Sequence, residues 1–221
     1  VRKNKSLYPF MMTAFAVILV LSNTTAVKLC QLGPVVATSA IILFPLAYIL
    51  GDVITEVYGY AGARRIFWAG LAANLLMVLT YTVTILLPGL DPRFAEMYAR
   101  VLGQVPRIVA ASMIGLWVGQ FANAYVMSRL KVATKGKYLW LRTISSTLVG
   151  ELVDTVLFAT LSFAFVAPWP AIGNMIWTGT LIKSAYEAAV TPFTYLVVSW
   201  FKEREGEVFD HDVNYSPFRG G

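Results

Sequence analysis

Asp52 with Glu56, Glu151 with Asp154, and Lys183 with Glu187 stand three or four residues apart inside long apolar runs. That spacing puts both members of each pair on one face of a helix. An ionised carboxylate in hydrocarbon costs at least roughly 2.5 to 3.5 kcal/mol, so acids in such places line a polar cavity or meet a partner. Five acids, Asp52, Glu56, Glu151, Asp154 and Glu187, face only two bases, Lys183 and Arg142, which leaves up to three negative charges without a fixed partner. Either some of the acids hold protons, as burial in a low dielectric favours, or the cavity receives a ligand that is cationic or rich in N–H donors. Blander roles compete at two points. Glu56 could be an interfacial residue beside Arg64 and Arg65, and Lys183 with Glu187 could be an intrahelical pair that helps helices pack. Asp154 is harder to explain away, because it lies roughly 13 Å inside its run at about 1.5 Å per residue. Among aromatic residues in the same runs, Trp177 and Tyr186 stand near Lys183 and could stack a flat heterocycle, although most membrane aromatics pack or face lipid.

The elements that must hold these residues follow from composition. The 221-residue chain is 57% hydrophobic and only 14% charged, against roughly 25% charged in a soluble domain. It therefore reads as an all-α integral membrane protein, a single transmembrane domain over residues 1–221. Apolar runs long enough to cross a bilayer predict six spans, at about 8–27, 35–58, 66–87, 106–127, 145–166 and 174–201. The first is read as a span in place of a cleaved signal, since it has no clear small-residue cleavage site. Pro45 and Pro192 fall inside spans and predict kinks.

Arg2, Lys3 and Lys5, then Arg64 and Arg65, then Arg129, Lys131, Lys135 and Lys137, then Lys202 and Arg204 occupy alternate connections. The excess of basic residues marks the cytoplasmic side, which puts both termini there with a short tail over about 202–221. Distributed in this way, the net charge of +6 is a matter of membrane orientation and gives no nucleic-acid footprint. Residues 91–102 differ from the rest: Phe94, Met97, Tyr98, Val101 and Leu102 recur at helical spacing, which predicts an amphipathic helix lying along the outer interface.

With three spans per half, the second half begins on the opposite side from the first, so likeness between the halves would be an inverted repeat of three plus three. Gly51-Asp52 and Gly150-Glu151 occupy equivalent spans, as do Asn23 and Asn123. One cysteine and one histidine exclude an internal disulfide framework and a Cys/His metal cluster, and no cofactor is expected. The chain has no Gly-x-x-x-x-Gly-Lys-Ser/Thr loop, no Gly-x-Ser-x-Gly elbow and no His-Glu-x-x-His pair, so nothing marks it as an enzyme.

Taken in order, several fragments resemble the queuosine precursor transporter family, also described as vitamin uptake transporter-like proteins. They are Ser22-Asn23, the run from Asp52 to Gly59 with Arg64-Arg65, the run from Gly103 to Val109, Gly119-Gln120, Arg142 to Thr147 with Glu151 and Asp154, Lys183 with Glu187, Thr191-Pro192, and the tail from Val208 to Phe218. The resemblance implies a six-helix bacterial inner-membrane importer of 7-deazaguanine bases, salvaged for queuosine in tRNA. Such a base presents a ring N–H beside an exocyclic amine, which one carboxylate can accept together. On this basis Glu151 or Asp154 reads the guanine-like edge, Asp52 assists, and Asn23 or Gln120 completes the polar lining. Lys183 and Arg142 pair with the acids when the site is empty. The expected partners are the small heterocycle and the bilayer, and a homo-oligomer is compatible with them. Two rivals keep the same acids: a membrane subunit that binds substrate for a separate ATPase, and a membrane-embedded acid/base enzyme.

Overall fold

The computed structural model describes residues 7–133 and 139–205, and inside the helices it leaves some side chains undescribed. The described residues are mostly helical. Its elements are α1 (Tyr8–Thr25), a hairpin of β1 (Leu29–Leu32) and β2 (Val35–Thr38), a 3-10 turn (Ser39–Ile42), α2 (Phe44–Leu86), α3 (Pro92–Leu102), α4 (Val105–Ala133), α5 (Leu139–Phe163) and α6 (Trp169–Glu205). Apart from α3 the helices are apolar on every side, as helices in lipid are. By length and composition three stretches of the described residues could cross a membrane: Tyr8–Thr25, Gly62–Leu86 and Pro92–Gly119, the last joining α3 to the first part of α4.

Two expectations change. Residues 35–38, read as the start of a second span, are instead strand β2. Gly33 takes a φ of 62°, the positive value that a two-residue hairpin turn with glycine in its first position requires. The β-branched Val35, Val36 and Thr38 then suit the strand that follows. The basic turn expected between the second and third spans is also different, because α2 is helical throughout. Ala61, Ala63, Arg64 and Arg65 are good helix formers, and no proline interrupts them.

The helix nevertheless turns a corner there. A Cβ on Gly62 would stand 2.6 Å from the Cβ of Tyr58, whereas residues four apart in a straight helix hold their Cβ atoms about 5 to 6 Å apart. Packing on α1 agrees. Ala40 lies with Ala26 just past the end of α1, while the ring of Tyr58 meets that of Tyr8 at its start, 4.9 Å between centroids. Residues 44–58 therefore run back along α1. The second limb runs forward beside it: the Tyr8 hydroxyl donates to Gly62 O at 2.8 Å, and Thr24 Oγ1 donates to Met77 Sδ at 3.1 Å.

The remaining helices alternate in direction. Arg107, near the start of α4, donates to the carbonyls of Leu161 and Ala164 at 2.6 and 2.5 Å, where a guanidinium suits the negative end of the α5 dipole. Phe163 of α5 packs on Ile172 and Met175 of α6. Near its far end α6 returns to the start of α1, with Val198 and Phe201 in one apolar cluster with Met11, Phe15, Val53, Ile54, Val57 and Ile66. Both described ends of the chain thus lie at the corner end of the bundle, opposite the hairpin.

The amphipathic segment is helical as expected. Asp91 caps α3 by accepting from the Arg93 N–H at 2.9 Å, and Pro92 opens it, a first-turn position where a missing N–H costs nothing. Phe94, Met97 and Val101 are exposed along it.

The hairpin ties the first part of the chain to the last. Asn174 of α6 accepts from Val36 N–H at 2.8 Å and donates to Pro34 O at 3.0 Å, and Thr178 Oγ1 donates to Val36 O at 3.2 Å. One amide side chain thus occupies both a donor and an acceptor on the edge of β2. Asn174→Ala is expected to speed amide exchange at Val36 by roughly 3- to 10-fold, the worth of one ordinary hydrogen bond. Unchanged exchange by mass spectrometry would show that the clamp does not hold the strand.

Candidate functional site

Polar side chains of the described residues bridge the seam between α5 and α6. Lys183 Nζ donates to Asp154 Oδ2 at 2.8 Å and to Thr155 Oγ1 at 3.1 Å. One turn away, Ser184 Oγ donates to Glu151 Oε2 at 3.1 Å. The side chains of Asp154 and Lys183 are 15% and 16% exposed, and Glu151 and Thr155 are buried. The antiparallel register of α5 on α6 brings them together, because Gly179 sits against Thr155 and lets the helices close.

Helix α4 supports the acid from behind. Within Gly115-Leu116-Trp117-Val118-Gly119, the two glycines at four-residue spacing form one small-residue face. A Cβ on Gly115 would come within 2.7 Å of Asp154 Oδ1, and one on Gly119 within 2.8 Å of Gly150 O and 3.0 Å of Asp154 Cβ. Asp154 is thus held between the bare backbone of α4 and the ammonium of Lys183.

Asp154 has a fixed cation on one oxygen. Glu151 accepts from a hydroxyl, a neutral donor that can rotate away when a better donor arrives.

Of the residues expected in the site, Glu151, Asp154 and Lys183 are brought together. Asn23 is not with them: its Nδ2 donates to Asn74 Oδ1 at 2.7 Å, and Asn74 Nδ2 donates to Gly70 O at 2.8 Å, a separate buried bridge between α1 and the second limb of α2. Trp177 does not stack in an enclosed site, since it is 69% exposed on the outside of α6. The half-buried Tyr186 lies three residues beyond Lys183. The side chains of Asp52, Glu56, Gln120, Arg142 and Glu187 lie outside the described residues. Sequence reasoning missed Thr155, Ser184 and Asn74. The first two adjoin Asp154 and Lys183 in the chain, a signal that was available, whereas Asn74 is 51 residues from its partner.

A family model described as "Putative vitamin uptake transporter" matches residues 38–197. A "Probable queuosine precursor transporter" of Bacillus subtilis is 27% identical over 180 residues, 80% of this chain and 78% of the relative. The "Queuosine precursor transporter" of Escherichia coli is 31% identical over 127 residues, 57% of this chain. A "Probable queuosine precursor transporter" of Haemophilus influenzae is 25% identical over 127 residues, 58% of this chain. The matched region spans about half the length of the Escherichia coli and Haemophilus influenzae proteins, 52% of each. No solved structure matches.

Proposed function

The chain belongs to the queuosine precursor transporter family, and from that membership we propose that it imports queuosine precursors, 7-deazaguanine bases, across the bacterial inner membrane. The observation that carries this assignment is the double polar bridge of Glu151 to Ser184 and Asp154 to Lys183 within an apolar helix seam. Such groups are costly in a bilayer and mark a substrate path. Glu151 accepts the ring N–H and exocyclic amine of the base side by side in charge-assisted hydrogen bonds, displacing the Ser184 hydroxyl. The Asp154 to Lys183 pair stands beside it as the lock of the empty site. Asp52, Gln120, Arg142 and Glu187 are proposed to complete the lining.

The chain crosses the bilayer six times in this proposal, through α1, the two limbs of α2, and α4, α5 and α6. Arg64 and Arg65 lie at the corner end, as do the far ends of α4 and α6 with Arg129, Lys202 and Arg204, so that end faces the cytoplasm with both termini. Helix α3 then lies on the outer surface. Each half is a set of three limbs, one starting from the corner end and the other from the hairpin end, and the two rock about the site in turn.

Vesicles containing only this chain should accumulate 7-cyano-7-deazaguanine or 7-aminomethyl-7-deazaguanine. No uptake above protein-free vesicles would sink the transport assignment. Glu151→Gln should lower uptake roughly 10- to 100-fold, as loss of a hydrogen bond to a charged group does. Uptake unchanged at equal protein level would remove Glu151 as the residue that reads the base.

A further inference from the structure

Thr180 of α6 stands three residues before Lys183 and four before Ser184, the two residues that reach the acids of α5. All three share one face of the helix. The preceding residue, Gly179, is close enough to α5 that an added Cβ would lie 3.3 Å from Thr155 Cγ2. Thr180 is therefore one turn along the same seam, and only 8% of it is exposed. Among the described residues its Oγ1 has no hydrogen-bond partner.

That is unusual for a helical threonine, which ordinarily returns its hydroxyl to a carbonyl of the preceding turn. Thr178, two residues earlier, does so to Asn174 O at 2.7 Å, and Thr24 does so to Val20 O at 2.8 Å. A buried hydroxyl left unpaired is costly to the empty protein and calls for an explanation.

Resting on the transport function proposed above, we propose that Thr180 Oγ1 is a specificity-determining contact for the base. A carboxylate accepts and cannot donate, so Glu151 serves the N–H donors of the guanine-like edge but not the ring oxo group next to them. Thr180 supplies the missing donor from the adjacent turn. Glu151 and Thr180 together then match a donor, donor, acceptor row, and the hydroxyl finds its partner only when substrate is present.

The test compares Thr180→Val, which keeps shape and removes the hydroxyl, with Thr180→Ser, which keeps the hydroxyl. Ser162→Ala removes a second unpaired buried hydroxyl, eight residues along α5 from Asp154. Binding of 7-cyano-7-deazaguanine to the purified full chain is measured together with thermal unfolding of the ligand-free protein. Thr180→Val is expected to bind about 3- to 10-fold more weakly while unfolding at the same or a higher temperature. Thr180→Ser and Ser162→Ala should bind like the wild type. Equal binding by wild type and Thr180→Val overturns the contact and leaves the transport assignment standing. Failure of the wild type itself to bind overturns both. Should Thr180→Val not fold, Thr180→Ala against Thr180→Ser makes the same comparison, with the weaker binding expected of the alanine variant and equal binding overturning the contact.

Discussion

Lys183→Met is expected to abolish uptake and to destabilise the protein by about 3 to 5 kcal/mol, the range found when one partner of a buried ion pair is removed. The ammonium of Lys183 serves Asp154 and Thr155 at once, at 2.8 and 3.1 Å, and both ends of the ion pair are largely shielded from solvent. Without it the Asp154 carboxylate faces the glycine surface of α4 on one side and an apolar methionine on the other. No lipid or backbone group there can replace a cation. The loss should be mainly that of an uncompensated charge, so a second change that removes the charge should reverse it. Lys183→Met combined with Asp154→Asn is expected to recover most of the unfolding temperature while transport stays absent. A Lys183→Met protein that unfolds at the wild-type temperature would show that the pair is not what holds α5 and α6 together.

The nearness of Glu151, Asp154 and Lys183 was legible because a spacing of three or four residues is a statement about one helix, and burial cost is a statement about one residue. The α3 helix was legible for the same local reason, with Asp91-Pro92 as its opening and an apolar stripe along it. What local patterns do not carry is register between elements. Val35 to Thr38 are apolar and β-branched, equally fit for a span or a strand, and the positive φ of Gly33 decides the matter only once the chain turns there. The reversal in α2 depends on how closely Gly62 approaches Tyr58, which no hydropathy pattern records. Asn23 was placed with the acids because it is polar in a span, yet its partner is Asn74 on a limb running in the same direction. Trp177 shares a helix with Lys183 but points outward, since six residues advance the face by well over one turn.

Gly119→Leu is expected to prevent assembly of α4 on α5, and Gly119→Ala already to destabilise the protein by about 1 to 3 kcal/mol, the usual result of overpacking. The obstacle is backbone. The added Cβ would meet Gly150 O at 2.8 Å and Asp154 N at 3.4 Å, and neither can rotate away as the end of a side chain can. Alanine is otherwise the better helix residue by about 0.5 to 1 kcal/mol, so the expected loss runs against intrinsic propensity. Gly173→Ala is the matched control, because a Cβ there has nothing within 4 Å and should be neutral or stabilising. Thermal unfolding of the two variants in the same detergent makes the comparison, and equal unfolding temperatures would refute close packing of α4 on α5. Gly115→Ala adds a functional readout, since its Cβ would strike Asp154 Oδ1 at 2.7 Å. A carboxylate pushed from that side must shift against Lys183, so uptake should fall further than stability in this variant. The glycine face of α4 therefore acts on the site through the position of Asp154, although it supplies no polar side chain of its own.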